Sequence, residues 1–111
     1  MKNDTLERKI QALQRGDGTA FDYIYEHTHK SAYFAILYIV RDKMYAEDLL
    51  QETFVKALRS LSQYAAGTNF TAWLCTIARS LALNHIKKYS RQVVTDFDAD
   101  AYKFGTGEAE I

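Results

Sequence analysis

None of the 111 residues is proline, and no other feature of the sequence constrains the fold as much. An interior proline removes a helical hydrogen bond and clashes with the preceding turn, so its absence suits long, unbroken helices. Apolar residues recur at three- and four-residue steps along most of the chain, which points the same way. The expected fold is all-α: a compact bundle of three main helices plus a short N-terminal one. A single core accommodates roughly 100–150 residues, so one domain is expected. Eight Tyr, six Phe and one Trp supply enough bulk to fill that core without disulfides.

The first helix is expected over about Asp4 to Gln14, with Leu6, Ile10 and Leu13 on one stripe, and Gly16-Asp17-Gly18 stops it. Asp17 is positioned to cap a second helix that carries Ala20, Phe21, Ile24, Tyr25, Thr28, Ala32, Ala35, Ile36 and Ile39 inward. From Ala32 to Val40 this helix is apolar nearly all round, so its second half is expected in the middle of the bundle. Arg41-Asp42-Lys43 ends it. A third helix, about Met44 to Ser62, buries Ala46, Leu49, Leu50, Thr53, Phe54, Ala57, Leu58 and Leu61. Gln63 to Asn69 lacks a period and reads as a loop. The last helix, about Phe70 to Tyr89, buries Phe70, Trp73, Leu74, Ile77, Ala78 and Leu81, with Arg79, Leu83, Ile86 and Lys87 on the opposite side.

The formal charge is zero, but it is unevenly spread. Nine Lys/Arg balance nine Asp/Glu in residues 1–70. Residues 71–91 hold Arg79, Lys87, Lys88 and Arg91 with no acid, and residues 92–111 hold five acids against Lys103. An acid-free cationic segment is an electrostatic footprint for polyanions. The acidic, glycine-containing end is expected to be a flexible tail or the start of a linker, leaving 1–91 as the folded domain. Met1 to Arg15 has no apolar core of a signal peptide, and nine consecutive apolar residues are too few to span a bilayer, which needs about 20. The single Cys75 forms no internal disulfide, which fits a reducing, cytoplasmic setting.

Enzymatic chemistry finds little support. Glu26 and His29 form one Glu-x-x-His pair where a di-iron bundle needs two, and His27 and His29 face different ways on a helix. No Gly-x-Ser-x-Gly elbow, phosphate loop or His-Glu-x-x-His motif occurs, so neither a metal nor another cofactor is expected. Cys75, beside Leu74, reads as a small buried residue. One polar pattern stands out: Asp48, Gln51, Glu52, Val55 and Arg59 form a continuous face beside the buried stripe of the third helix. Read by itself, such a row is a solvated face.

Three blocks give that row another meaning. Gly16-Asp17 is followed by Ala20-Phe21 and Tyr25; Ala46-Glu47-Asp48-Leu49 by Gln51-Glu52 and Phe54; Phe70 by Trp73-Leu74 and Ile77-Ala78-Arg79. In order and spacing, over about Gly16 to Arg91, they resemble region 2 of a bacterial RNA polymerase sigma factor of the extracytoplasmic-function (ECF) class. The resemblance implies a transcription-initiation module, not an enzyme. Its third helix would dock on the clamp helices of the polymerase β′ subunit through Asp48, Leu49, Gln51, Glu52, Val55 and Arg59, with Phe54 in the core. Its loop would capture a flipped base of the non-template strand of the minus-ten promoter element through Tyr64, Gly67, Thr68 and Asn69. Tyr64 would offer a stacking face, Thr68 and Asn69 donors and acceptors, and Gly67 close backbone approach. Arg79, Asn84, Lys87, Lys88 and Arg91 would follow the DNA backbone. Trp73, a stacking candidate, lies on the apolar stripe and is assigned to the core. Ser80 stands where the family usually has Asn, and Asn84 where Asp is common, which bears on base preference. The family's helix-turn-helix domain for the minus-thirty-five element does not occur in the 111 residues, so a fragment ending in an interdomain linker is expected. An anti-sigma factor is a further partner of the class. The competing reading is a helical protein–protein adaptor without DNA contact.

Overall fold

The computed structural model describes residues 4–96, with side chains through Ser90. Four α-helices follow one another: α1 (Asp4–Gln14), α2 (Phe21–Val40), α3 (Lys43–Arg59) and α4 (Phe70–Asp96), with 3₁₀ turns at Gly18–Ala20 and Leu61–Gln63. No strand occurs among the described residues, and the fold is all-α as expected.

Each break has a local cause. Gly16 takes φ of 101°, where a side chain would be strained, and its N–H returns to Leu13 O at 2.9 Å, closing α1. Asp17 then accepts from the Thr19 hydroxyl (2.6 Å) and amide (3.1 Å), which together hold its carboxyl below the usual carboxylate range. α2 ends at Arg41, left-handed with φ of 57°. The next residue, Asp42, caps α3 by accepting from the amides of Met44 (2.9 Å) and Tyr45 (3.1 Å).

Ring contacts fix the direction of the helices. Phe54, late in α3, lies 5.8 Å from Phe21 and 4.9 Å from Tyr25 at the start of α2, so these helices are antiparallel. Tyr45, early in α3, lies 4.5 Å from His85, late in α4. α4 is therefore antiparallel to α3 and parallel to α2, and α2 packs against both. The seams are lined by small residues, Ala32 on α2, Ala46 on α3, and Ala78 and Ala82 on α4, all fully buried beside Ile24, Ile36 and Leu74. Thr28 and Thr53 are buried too, and each hydroxyl donates to the carbonyl four residues earlier at 2.7 Å. Among the described residues no buried side-chain polar atom lacks a partner.

Four expectations are corrected. The second half of α2 packs against its neighbours through Ala32 and Ile36 but is not enclosed on all sides: Phe34 is 60% and Tyr38 76% exposed, because its outer face meets water. Leu58 is exposed, on the outer side of α3. α3 stops at Arg59, and Leu61 is buried from the following 3₁₀ turn. α4 continues to Asp96, seven residues past Tyr89, since neither Pro nor Gly stands there to stop it. Residues 97–111, most of the expected tail, lie outside the described residues.

These placements make a paired prediction. Phe54→Ala should lower unfolding free energy by about 3–5 kcal/mol, the usual cost of deleting a buried aromatic ring. Phe34→Ala, one apolar residue for another at a wet position, should stay within about 0.5 kcal/mol. Urea unfolding of both variants checks the two values, and a large loss at Phe34 would contradict its outward placement.

Candidate functional site

Three exposed features stand out: the outer row of α3 and the basic edge of α4, which border one groove, and the loop that joins these helices at one end. The row is a by-product of helical geometry. Because Ala46, Leu50, Thr53, Phe54 and Ala57 face inward, Asp48, Gln51, Glu52, Val55 and Arg59 face out, and all five are exposed. Leu49 departs from that set. It is only 6% exposed, so it supports the row from the core rather than standing in it. Gln51 also borders an open groove of about 450 Å³ between α2 and α3, shared with Phe34 and Glu47.

The loop is held from below. Gln14, at the end of α1, donates through Nε2 to Leu61 O (3.0 Å) and Tyr64 O (3.2 Å). Glu7, two turns earlier on α1, accepts from the Tyr64 hydroxyl with Oε2 (2.5 Å) and from the Gly67 amide with Oε1 (2.8 Å). Gly67 adopts φ of 87°, which a side chain would resist. Thr68 donates to Ala65 O through both its amide (3.3 Å) and its hydroxyl (2.7 Å). Asn69 caps α4, its Oδ1 accepting from the Ala72 amide at 3.0 Å. Residues 65–69 are otherwise exposed.

Tyr64 requires a correction. Its ring offers no stacking face to a base, being 4% exposed and packed against Phe70 (5.3 Å) and Trp73 (5.4 Å). Burial first, then the bond to Glu7, push its hydroxyl up to about 12. Trp73, half-buried in the same cluster, packs as expected. Of the loop's polar side chains, the Asn69 amide nitrogen has no partner among the described residues, whereas the exposed Thr68 hydroxyl donates to Ala65 O and lies beside the Tyr64 hydroxyl.

On α4, Arg79, Asn84, Lys87 and Lys88 are exposed. Arg91 follows on the same helix, its side chain outside the described residues. Asn84, His85, Lys87 and Lys88 border a second open groove, of about 360 Å³, whose other wall includes Glu52 of α3. The acidic row and the basic edge therefore meet there. Cys75 is partly buried, and burial raises its thiol above the ordinary range against a weaker pull from Arg79. That disfavours the nucleophilic thiolate. Among the described residues, no group of three or more His, Cys, Asp or Glu side chains is placed to hold a metal ion, and no helix is long and apolar enough to cross a membrane. The Nδ1 atoms of His27 and His29 face the carbonyls of Tyr23 and Tyr25, to which they can only donate.

Sequence reasoning missed Glu7 and Gln14. Both act across more than forty residues of chain, and α1 carries no local pattern that would reveal their targets.

A family model described as sigma-70 region 2 matches residues 24–92, which include most of α2, all of α3, the loop and most of α4. The chain belongs to the sigma-70 region 2 family. It is 38% identical over 83% of its length to the ECF RNA polymerase sigma factor BldN of Streptomyces coelicolor, covering 36% of that protein. It is 31% identical over 92% of its length to the RNA polymerase sigma-H factor of Pseudomonas aeruginosa, covering 53%. It is also 31% identical over 72% of its length to the ECF RNA polymerase sigma factor SigX of Bacillus subtilis, covering 43%. The chain thus spans about a third to a half of these curated relatives. No solved structure gives a significant match. In this region 2 domain, α1, whose Glu7 and Gln14 make these four hydrogen bonds, lies before the family match.

The Tyr64 hydroxyl gives a pH prediction. In the unfolded chain it ionises near 10, whereas the folded domain holds its proton to about 12. Its contribution is therefore complete below pH 10 and is lost as pH rises to 12, at up to about 1.4 kcal/mol per pH unit. Comparing denaturant unfolding of wild type and Tyr64→Phe from pH 8 to 11.5 should show the wild-type advantage shrinking above pH 10. A constant difference would contradict the buried, bonded hydroxyl.

Proposed function

We propose that this domain serves bacterial transcription initiation by binding two partners at once: core RNA polymerase, through the β′ clamp helices, and the unpaired non-template strand of the minus-ten promoter element. Asp48, Gln51, Glu52, Val55 and Arg59 form the polymerase face. The loop of Gly67, Thr68 and Asn69 takes an extruded base, and Arg79, Asn84, Lys87, Lys88 and Arg91 follow the phosphates. The observation that carries this reading is the loop itself: an exposed turn, braced at Gly67 and capped at Asn69, at the start of the helix whose exposed side carries Arg79, Lys87 and Lys88. Hydrogen-bonding groups on a braced turn suit base recognition, and flexible cations along a helix suit phosphates. The domain would open the promoter by binding the unpaired strand better than the duplex, since a ligand shifts an equilibrium only by its differential affinity. An anti-sigma factor would act by covering either face.

The polymerase face is tested by Asp48→Lys combined with Glu52→Lys. Both side chains are exposed, so folding should change little. Pull-down of purified core polymerase should be lost while helicity and melting are retained. Undiminished pull-down by the folded double variant removes the docking assignment.

The loop is tested with core polymerase, at low salt, using strands selected from a randomised single-stranded pool. Asn69→Ser keeps a competent helix cap but removes the amide donors, and should reduce discrimination at one base by about 1–3 kcal/mol. Lys87→Ala and Lys88→Ala should weaken all strands alike and flatten the salt dependence by roughly 0.7 for each phosphate interaction removed. Identical, sequence-independent losses in both classes would mean that the loop reads no base. No effect on DNA from either class would favour a protein–protein adaptor.

A further inference from the structure

We propose that Glu7 of α1 is a positioning residue for base recognition, fixing the loop through the Gly67 amide and the Tyr64 hydroxyl without itself touching DNA. This rests on the reading of the loop as the base-binding element. The two oxygens of one carboxylate are both committed to the loop, at 2.8 Å to the Gly67 amide and 2.5 Å to the Tyr64 hydroxyl. Charge-assisted bonds of this kind are short and directional. They are not needed to attach α1 to the bundle, because Leu6 and Ile10 already bury that helix in the core. What they fix lies 57 and 60 residues away. The Tyr64 bond anchors the chain where it enters the loop, and the Gly67 bond sets the backbone just before Thr68 and Asn69.

Gln14 reinforces the entry by holding the carbonyls of Leu61 and Tyr64, and Asn69 fixes the exit as the cap of α4. The apex between them has internal bonds within Ala65–Thr68, and Glu7 ties that apex to the body of the domain. A recognition loop held in its binding shape loses less conformational freedom on binding and presents its donors in a fixed geometry. α1 would thereby affect which base is chosen while standing behind the surface that chooses it.

Two variants separate this role from a purely structural one. Glu7→Met keeps length and helix propensity but removes both acceptors. Glu7→Gln can still accept from Gly67 with its oxygen and donate to the Tyr64 oxygen with its nitrogen. Polymerase pull-down, melting, hydrogen exchange of the Gly67 amide and binding to preferred and base-swapped single strands are measured for wild type and both variants, with core polymerase present for the DNA assay. Glu7→Met should retain pull-down, lose Gly67 exchange protection and reduce base discrimination about tenfold, whereas Glu7→Gln should restore both properties. If Met disturbs α1, Glu7→Ala makes the same deletion with the best helix former. Wild-type discrimination in Glu7→Met or Glu7→Ala overturns the inference while leaving the loop reading intact. Absence of base preference in wild type itself overturns the loop reading, and this inference with it.

Discussion

The structure depends on close approach of its helices along seams of small side chains. Ala32 of α2, Ala46 of α3, and Ala78 and Ala82 of α4 are all fully buried in one core, and small side chains at a contact let helices approach closely. Ile24, Ile36 and Leu74 are fully buried in the same core, and Phe54 packs against Phe21 and Tyr25. Such packing leaves each helix with little freedom to rotate, because rotation would drive a larger neighbour into the seam. The outward faces are fixed as a consequence. The polar row of α3 and the basic edge of α4 owe their positions to the buried stripes on the other side of each helix.

The helices could be read from the sequence wherever the apolar period was clear. Leu6, Ile10 and Leu13 placed α1, and Ala46, Leu49, Leu50, Thr53, Phe54 and Ala57 placed the inner face of α3 and hence its outer row. Breaks were legible where chemistry marks them, at Gly16 and at Arg41-Asp42. The outer face of α2 was not, because the unbroken apolar run from Ala32 to Val40 has no polar residue to set its phase; Phe34 and Tyr38 could not be told from Ile36 by pattern. The end of α4 was obscured by the absence of a stop signal.

The loop shows the sharper limit. Its existence between Gln63 and Asn69 followed from composition, but the direction of Tyr64 did not, since a tyrosine in a polar loop suits either a stacking face or an anchor. The decision was made by Glu7 and by the rings of Phe70 and Trp73. The same long-range contacts turn a loose connection into a shaped surface, and they leave Thr68 and Asn69, rather than Tyr64, as the side chains able to meet a base. The three exposed features differ in chemistry: α3 carries a mixed charged and polar row, the loop carries hydrogen-bonding groups, and α4 carries cations.

The central claim is that one molecule of this domain has distinct, adjoining faces for unpaired promoter DNA and for polymerase. Amide chemical-shift mapping of the ¹⁵N-labelled chain tests this most directly, first with a selected single-stranded promoter segment at low salt and then with a peptide of the β′ clamp helices. DNA is expected to shift the amides of residues 65–69 and the exposed edge of α4 while sparing Asp48, Gln51 and Val55, and the peptide is then expected to shift those three. A loop that stays silent while DNA perturbs the outer face of α2, or DNA and peptide perturbing the same residues of α3, would contradict it.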